Sequence, residues 1–351
     1  MKRPSWFDER APSPGARAAL APLSALSWCY GAAAALHRAA YERGFAQPAR
    51  LPCKVISVGN LVVGGSGKTP LAAWIAAQLH ARGKRVALAS RGYGGKPREA
   101  VHVVSDGTRV LEGAAVVGDE ALLLAHLAPG VPVLVARRRE LAGLRAIALF
   151  DTEVLVLDDG FQHHALARDV NLVAFAQDGL GNGAVLPRGP LREAIHALAR
   201  ADAILVTGGA LPADDEARIA RAAPQAARFS VLRTPRELRA LGASRAPEPA
   251  SALAGREVGV LSALARPRAL RETVEALGAR VVAERVFADH HAYTPRDVAG
   301  LAAEAPLWVT SEKDAIKLAP EWLRGADLRV LALETSVAEP EKFLAWLDKR
   351  L

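Results

Sequence analysis

The stretch VISVGNLVVGGSGKTP, residues 55–70, decides the fold of this chain. A β-branched apolar run leads into a glycine-rich loop, and Lys68 and Thr69 precede a helix-compatible segment that starts at Pro70. Glycines let backbone N–H groups approach phosphate oxygens, and the N-terminus of the following helix adds partial positive charge. Lys68 can reach the β- and γ-phosphates of a nucleotide, and the Thr69 hydroxyl can hold Mg²⁺. The stretch therefore predicts a nucleotide phosphate site.

The loop departs at one position from the strict phosphate-loop pattern, which has a glycine where this chain has Val62. The alternative is a glycine-rich turn between a strand and a helix that binds nothing. The triplet of Gly67, Lys68 and Thr69 in a strand–loop–helix context favours the phosphate site. The nucleotide-binding candidates are Val62, Val63, Gly64, Gly65, Ser66, Gly67, Lys68 and Thr69.

A second apolar run, Val154–Leu157, ends in the carboxylates Asp158 and Asp159. A buried parallel strand has this pattern, with an acid at its C-terminal end. In phosphate-loop enzymes that acid helps to hold Mg²⁺ opposite the hydroxyl of the loop. The alternative is a pair of solvated loop aspartates. The metal candidates are Thr69, Asp158 and Asp159.

The chain has 351 residues, of which 51% are hydrophobic, and its formal net charge is +8. This size and composition predict a globular protein with a large core and exclude a disordered chain. Cys29 and Cys53 are the only cysteines, so the chain has no disulfide framework and no Cys-x-x-Cys metal site. Such cysteine usage is typical of a reducing compartment.

About half of the excess positive charge lies in residues 1–50, where seven Lys or Arg face three acids. Within this segment, Ala18–Leu36 carries no charge and approaches the ~20 residues that a membrane span needs. We therefore predict a helix associated with an anionic membrane surface. The residues that form its apolar stripe or suit a lipid interface are Leu20, Leu23, Leu26, Trp28 and Tyr30.

Two other interpretations of this N-terminal segment stay open. Ala32–Ala35 resembles the cleavage site of a signal peptide, although a nucleotide site downstream favours cytosolic chemistry. The helix can also pack on the protein's own core. Nucleic acid explains the positive charge less well, because aromatic residues are sparse and no base-stacking platform or zinc finger is present.

Strand-like runs alternate with helix-like segments along most of the chain. Such alternation predicts parallel strands with crossover helices, a doubly wound α/β fold of the phosphate-loop NTPase type. After a stretch of weak periodicity the alternation resumes, which predicts a second, smaller α/β domain. The predicted division is a membrane-associated segment 1–50, a phosphate-loop core 51–211, a connection 212–256, the smaller domain 257–335 and a C-terminal helix 336–351.

Other motifs follow predicted strands or begin helices. Arg91 and Tyr93 follow the second strand, and ligands of doubly wound sheets lie at the carboxyl ends of strands. His163 follows the aspartate pair, where a hydrogen-bonding or positioning role suits it better than metal ligation. Arg192 lies in a loop where it can clamp phosphate. On physical grounds alone, Asp119 is best interpreted as a helix cap.

Several short motifs follow one another from residue 55 to about residue 317. They are VGNL with GGSGKTP up to Pro70, SRGYGG at 90–95, VGDE at 117–120, LDDGFQH at 157–163, GNG with LP and GPLRE at 181–193, DH at 289–290 and SEKD at 311–314. Together these motifs resemble one family, the tetraacyldisaccharide 4'-kinases, which phosphorylate a lipid A precursor.

The resemblance implies ATP-dependent phosphorylation of the 4'-hydroxyl of a lipid-linked glucosamine disaccharide 1-phosphate, with Mg²⁺. It also implies peripheral attachment to the cytosolic face of the bacterial inner membrane, and we expect a monomer. By resemblance alone, Asp119 becomes the base that acts on the hydroxyl, with His290 as its partner, and Lys68 and Arg192 supply positive charge. The substrate-binding candidates are Arg91, Tyr93, His163 and Glu193.

Two alternative functions remain at this stage. One is a membrane-associated ATPase switch without a small-molecule acceptor, although Val63 stands where such proteins carry a signature lysine. The other is a nucleotide-binding chaperone that delivers a metal, which the absence of clustered cysteines disfavours.

Overall fold

A computed structural model describes residues 4–10, 13–96, 98–242 and 245–351. These residues form one mixed sheet of 13 strands, with helices on its faces. The strands are β1 (Lys54–Gly59), β2 (Val86–Ser90), β3 (His102–Ser105), β4 (Val133–Val135), β5 (Val154–Asp158), β6 (Val170–Ala176), β7 (Ala203–Thr207), β8 (Ala227–Ala240), β9 (Glu248–Pro249), β10 (Glu257–Ser262), β11 (Arg280–Val286), β12 (Trp308–Ser311) and β13 (Leu328–Val337).

The α-helices are α1 (Pro14–Ala19), α2 (Ala21–Glu42), α3 (Lys68–Ala81), α4 (Ala114–Val117), α5 (Asp119–Leu127), α6 (Arg139–Phe150), α7 (Ala213–Ala222), α8 (Pro267–Ala276), α9 (Leu301–Glu304), α10 (Glu312–Ala315) and α11 (Pro340–Asp348). Short 3-10 turns lie at Ser5–Phe7, Ile195–Arg200, Ala250–Leu253 and Pro320–Trp322. Helix α3 follows β1 directly, so the predicted strand–loop–helix order is confirmed.

The strand order is β11-β10-β12-β13-β8-β7-β6-β1-β5-β2-β4-β3, with β9 beside β8. Most neighbours are parallel, and only β3–β4, β8–β9 and β8–β13 pair in the antiparallel sense among the described strands. The strands β1 and β5, which carry the key motifs, are almost entirely buried, because helices cover both faces of a parallel sheet. The doubly wound α/β prediction is confirmed.

Strand β8 joins two groups of strands. Its first residues, Ala227–Val231, pair in parallel with β7, and the rest of the strand pairs with β13 in the antiparallel sense. Strands β12, β10 and β11 continue parallel to β13. The second group therefore runs back toward the first, and the carboxyl ends of the two groups face each other across a cleft.

The segment 212–256, predicted as the connection between the domains, contains helix α7 and the 14-residue strand β8. The sequence did not predict β8 because most of its residues are half-buried or exposed. They therefore show only a weak alternation of apolar and polar side chains. At the other end of the chain, helix α11 packs Phe343, Leu344 and Leu347 into the core of the first group. The division into domains stays a prediction.

Helix α2 forms as expected in the N-terminal segment, although Lys2 and Arg3 lie outside the described residues. Ser27 and Arg38 of α2 contact the rest of the protein, and several large apolar side chains of this helix are exposed: Leu26, Trp28, Tyr30 and Leu36. None of its residues is fully buried within the described part of the chain. No helix among the described residues has the length and hydropathy needed to cross a bilayer.

Candidate active site

The phosphate loop links the carboxyl end of β1 to α3. Gly64 and Gly67 have φ angles of 114° and 77°, values that favour glycine, and Gly67 caps the N-terminus of α3. Lys68 is the first residue of the helix and is only 9% exposed. The loop thus has the backbone shape and the helix N-terminus that a phosphate group requires.

A second loop, residues 184–192, pairs with the start of the phosphate loop. The Val63 amide donates to the Pro190 carbonyl at 2.9 Å, and the Arg192 amide donates to the Leu61 carbonyl at 2.8 Å. We call residues 184–192 the bracing loop, because it fixes the start of the phosphate loop through backbone hydrogen bonds.

Thr69 and Asp158 meet as expected at the base of the phosphate loop. The Thr69 hydroxyl donates to Oδ2 of Asp158 at 2.8 Å. Burial raises the pKa of Asp158 to about 7, against the opposing effect of Lys68, and Glu120 adds to the increase. Its Oδ1 atom is buried without a hydrogen-bond partner among the described residues. A buried, unpaired carboxylate oxygen beside a threonine hydroxyl fits a hard divalent cation.

Asp159 is held by Arg192. The Nη1 atom of Arg192 lies 2.8 and 2.9 Å from the two carboxylate oxygens, and Asp159 has a φ of 59°. Burial alone would raise the pKa of Asp159, but the positive charges of Lys68 and Arg192 outweigh it, so the pKa is lowered. Asp159 is therefore an anion that holds the Arg192 side chain in place.

Within residues 4–10, 13–96, 98–242 and 245–351, no three His, Cys, Asp or Glu side chains are grouped to hold a metal by themselves. A magnesium site does not need such a group, because Mg²⁺ uses one or two carboxylates and takes its other ligands from water and substrate phosphates. The oxygens of Thr69, Asp158 and Asp159 fit that requirement.

Asp119 and His290 meet across the cleft, as the resemblance implies. The Nδ1 atom of His290 lies 3.0 Å from Oδ2 and 3.2 Å from Oδ1 of Asp119. Asp119 is the first residue of α5, and Gly118, not Asp119, is the cap. Oδ1 of Asp119 nevertheless accepts from the Glu120 amide in the first turn of α5 at 3.0 Å. The Asp119 side chain therefore contacts both the start of its own helix and His290 of the second group of strands.

Two backbone features position the Asp119–His290 pair. Gly118 has a φ of 84°, and a Cβ there would clash with the Tyr93 carbonyl, so only glycine lets the loop after β2 pack against the start of α5. The exposed Tyr93 ring then lies with its centroid 5.7 Å from that of His290. His290 itself has a φ of 60°, a strained conformation of the kind found at functional sites.

Lys313 belongs to the SEKD motif, and the sequence patterns predict no role for it. Its Nζ atom lies 3.0 Å from Oδ1 of Asp289 and 3.3 Å from Nε2 of His290. An ammonium group can only donate, so a neutral His290 accepts at Nε2 and carries its proton on Nδ1, facing Asp119. Lys313 thus selects the tautomer that pairs with the carboxylate.

The Asp119–His290 contact shifts both pKa values. The hydrogen bond to Asp119 raises the pKa of His290, while burial and Lys313 act against the increase. Burial would raise the pKa of Asp119, but His290 and Lys313 together lower it. Asp119 is therefore ionised at neutral pH and can accept a proton.

The substrate-binding candidates lie in different surroundings. Arg91 and Tyr93 are exposed on the loop after β2, Tyr93 by 63%. His163 is half-buried, with its Nε2 atom 3.7 Å from Glu140, and burial lowers its pKa to about 4. Glu193 is buried and accepts hydrogen bonds at 2.9 and 3.1 Å from Arg200. This geometry favours a structural role for Glu193.

Arg139 is a residue that sequence reasoning missed. It begins α6 at the carboxyl end of β4, is 6% exposed, and its Nε atom has no hydrogen-bond partner in the described part of the chain. Burial and the nearby Arg91 lower its pKa, while Asp159 and Asp158 oppose the decrease. The sequence signal was the run of three arginines, 137–139, directly after a predicted strand.

A phosphate loop and an ionised carboxylate paired with a histidine across a cleft define a nucleotide-dependent phosphotransferase of the phosphate-loop class. The family model for tetraacyldisaccharide-1-P 4'-kinase matches residues 17–351. The chain therefore belongs to this kinase family of lipid A biosynthesis.

Individual relatives agree with this assignment. The chain is 45% identical over 343 residues to the tetraacyldisaccharide 4'-kinase of Anaeromyxobacter sp. (strain Fw109-5), covering 93% of this chain and 90% of the relative. It is 38% identical to the tetraacyldisaccharide 4'-kinase of Syntrophus aciditrophicus (strain SB), with 94% of each chain covered. The crystal structure of LpxK from Aquifex aeolicus in complex with ATP matches with a TM-score of 0.75 and 30% identity, covering 95% of this chain and 99% of that one.

Proposed function

We propose that this chain transfers the γ-phosphate of ATP to the 4'-hydroxyl of a tetraacylated glucosamine disaccharide 1-phosphate, with Asp119 as the general base. The single observation that carries this proposal is the contact of Asp119 with His290, because it joins the two groups of strands and pairs an ionised carboxylate with a histidine. Family membership supports the substrate class.

The proposed step is a direct displacement. The 4'-oxygen forms a bond to the γ-phosphorus as the bond from that phosphorus to the β–γ bridging oxygen breaks, and the bond electrons remain on ADP. The hydroxyl proton passes to the Asp119 carboxylate. His290 holds the carboxylate in place through its Nδ1 proton. A positioned general base contributes about 10²–10⁴-fold to the rate.

Positive charge around the transferred group comes from Lys68 and Arg192. Lys68 sits at the N-terminus of α3, and Arg192 is oriented by Asp159 at 2.8 Å. Arg139 adds a further buried guanidinium. We propose that Thr69, Asp158 and Asp159 hold Mg²⁺, which when bound neutralises charge on the nucleotide phosphates. Positioning and charge neutralisation provide most of the catalysis in phosphoryl transfer.

We further propose that helix α2 binds the cytosolic face of the bacterial inner membrane peripherally and that the enzyme acts as a monomer. Trp28 and Leu36 support this, because they are 83% and 74% exposed on a helix that contacts the rest of the protein through Ser27 and Arg38. The basic residues near the N-terminus would attract anionic lipid headgroups.

The transfer reaction is tested with ³²P-labelled ATP and the disaccharide acceptor in detergent. We expect labelled product that requires the free 4'-hydroxyl, with no transfer to an acceptor already phosphorylated there. ATP hydrolysis at the same rate with and without acceptor would instead support a membrane-associated ATPase switch.

Membrane attachment is tested by flotation with vesicles that contain anionic lipid. We expect Leu36→Gln combined with Trp28→Gln to lower vesicle binding by at least about tenfold, because each buried large apolar side chain contributes roughly 1.5–3 kcal/mol. Leu144→Gln is the control, since Leu144 is a 51% exposed leucine on a different helix, α6. Unchanged binding of the double variant would refute attachment through α2.

A further inference from the structure

Ser27 connects the N-terminal helix α2 to the bracing loop. Its hydroxyl donates to the Val185 carbonyl at 2.8 Å and accepts from the Arg188 amide at 2.8 Å. One turn earlier, the hydroxyl of Ser24 donates only to the Leu20 carbonyl within the same helix. Ser27 is therefore a link between two elements, while Ser24 is not.

The bracing loop is closed by its own hydrogen bonds. The Leu186 amide donates to the Leu191 carbonyl at 2.8 Å, and the Leu191 amide donates to the Ala184 carbonyl at 3.0 Å. Gly189 also donates to the Val185 carbonyl at 3.0 Å. A displacement of the loop at the Ser27 contact is therefore transmitted to its other end.

That other end contacts the nucleotide site at three points. Pro190 and Arg192 form backbone hydrogen bonds with Val63 and Leu61, and the Arg192 side chain holds Asp159. A single rigid loop thus lies between the hydroxyl of Ser27 on α2 and the start of the phosphate loop.

Residues on either side of the bracing loop receive other contacts from the N-terminal region. The Asn182 amide donates to the Phe7 carbonyl at 2.6 Å, and its side chain donates to the Trp6 carbonyl at 2.8 Å. Arg38 of α2 lies 3.0 Å from His196. Ser27 is the point in α2 from which hydrogen bonds reach the bracing loop itself.

We propose that Ser27 is a positioning residue that fixes the phosphate loop and Arg192 through the bracing loop. Without the Ser27 hydroxyl, the Arg188 amide loses its partner and the Val185 carbonyl keeps only the Gly189 amide, and a part-buried polar group left unpaired costs free energy. The loop would shift to recover these hydrogen bonds. Phosphoryl transfer is sensitive to such shifts, because its catalysis depends on how the nucleotide phosphates and the charged side chains around them are positioned.

The test compares Ser27→Ala, Ser27→Thr and Ser24→Ala in the full chain. The effect on turnover rests on the proposed kinase function. We expect Ser27→Ala to lower kcat by about tenfold, within the ~10²-fold that a 1 Å misplacement can cause. KM for the lipid acceptor and vesicle binding should stay at the wild-type values. Ser27→Thr should recover turnover, and Ser24→Ala should match the wild type.

Hydrogen exchange provides a readout that does not require turnover. In Ser27→Ala we expect faster exchange of the Arg188 amide, because it loses its hydrogen-bond partner. The amides of Val63 and Arg192 should also exchange faster, because their hydrogen bonds weaken when the bracing loop moves. Ser24→Ala should leave these amides protected. Exchange and kcat at wild-type values in Ser27→Ala, or equal losses in Ser24→Ala, would overturn the proposal. If the wild type transferred no phosphate, the proposed function would fail, while the exchange data would still decide the role of Ser27.

Discussion

The Nδ1 atom of His290 lies 3.0 Å from Oδ2 of Asp119, although the two residues are 171 positions apart in the chain. Each residue stands at the carboxyl end of a different group of strands. Their contact is possible only because β8 and β13 turn the second group back toward the first. The proposed base is thus assembled from both halves of the fold.

We expect Asp119 and His290 to act as a unit in turnover. Asp119→Ala should lower kcat by about 10²–10⁴-fold, the contribution of a general base. His290→Ala should lose most of the same contribution, and the double variant should lose little more, because coupled groups are non-additive. The measurement is kcat at saturating ATP and acceptor. Multiplicative losses would show that the two residues work independently.

The pKa of His290 should depend on Asp119. The hydrogen bond raises this pKa above its ordinary value of 6.5, while burial and Lys313 lower it. Asp119→Asn removes the anion and leaves the lowering effects, so an NMR titration should give a value below that of the wild type. A histidine whose pKa is higher in the folded protein than in the unfolded chain stabilises the fold fully at a pH below the unfolded-state pKa. This stabilisation is lost as the pH rises through the folded-state pKa. Asp119→Asn should therefore destabilise the protein more near pH 5 than near pH 9, and equal effects at both would contradict this.

Lys313→Met should move the pKa of His290 in the opposite direction. Its ammonium lies 3.3 Å from Nε2, so its removal should raise the pKa measured in the same titration. Turnover should also fall, by about tenfold or more, because the tautomer is no longer fixed. Lys342→Met is the matched control, since Lys342 is exposed on α11 and pairs with Glu339, the residue before that helix. A titration curve like that of the wild type would show that Lys313 does not act on His290.

Lys68→Ala and Thr69→Ala should each lower kcat by about 10²–10³-fold while leaving the fold intact. Lys68 lies at the N-terminus of α3, and Thr69 donates to Asp158. Thr69→Ser should retain much of the activity because it keeps the hydroxyl, and Lys84→Ala, on the exposed loop after α3, should have no effect. Normal turnover in Lys68→Ala with Mg²⁺ present would refute the assignment of residues 62–69 as the phosphate-binding loop.

Gly118→Ala should destabilise the protein by about 2 kcal/mol or more, because φ at this position is 84° and the new Cβ would meet the Tyr93 carbonyl. The loop that carries Tyr93 would have to move away from Asp119. Gly113→Ala is the control, since a Cβ there would meet no described atom within 4 Å. Chemical denaturation measures both variants, and equal stabilities would show that the close approach is unimportant.

Local motifs made much of the site predictable from the sequence. The phosphate loop and Asp158 each follow an apolar strand, and parallel strands bring their carboxyl ends to one edge. The contact between Asp119 and His290 was available only by resemblance, because no local pattern joins residues of opposite halves. Lys313 and Arg139 gain their significance from contacts and burial that sequence spacing does not encode.

The strand β8 escaped prediction for a physical reason. It carries Pro235, its polar residues alternate poorly, and most of its side chains are half-buried or exposed. A strand that links two groups gains stability from the ladder with β13 more than from apolar burial on both faces. Its sequence therefore resembles a loop, and the reversal of the second group could not be inferred.

The path of β8 and β13 has a consequence for how the chain can vary. The polypeptide leaves the first group along β8 and returns along β13, and the two strands meet at their far end, where Leu241 donates to the Leu328 carbonyl at 3.1 Å. Topologically, the residues between them form an insertion into an otherwise continuous protein. A short turn that joined Leu241 to Leu328 would leave the chain path of the nucleotide-binding half unbroken, so additions and deletions in the inserted part need not disturb the half that holds ATP.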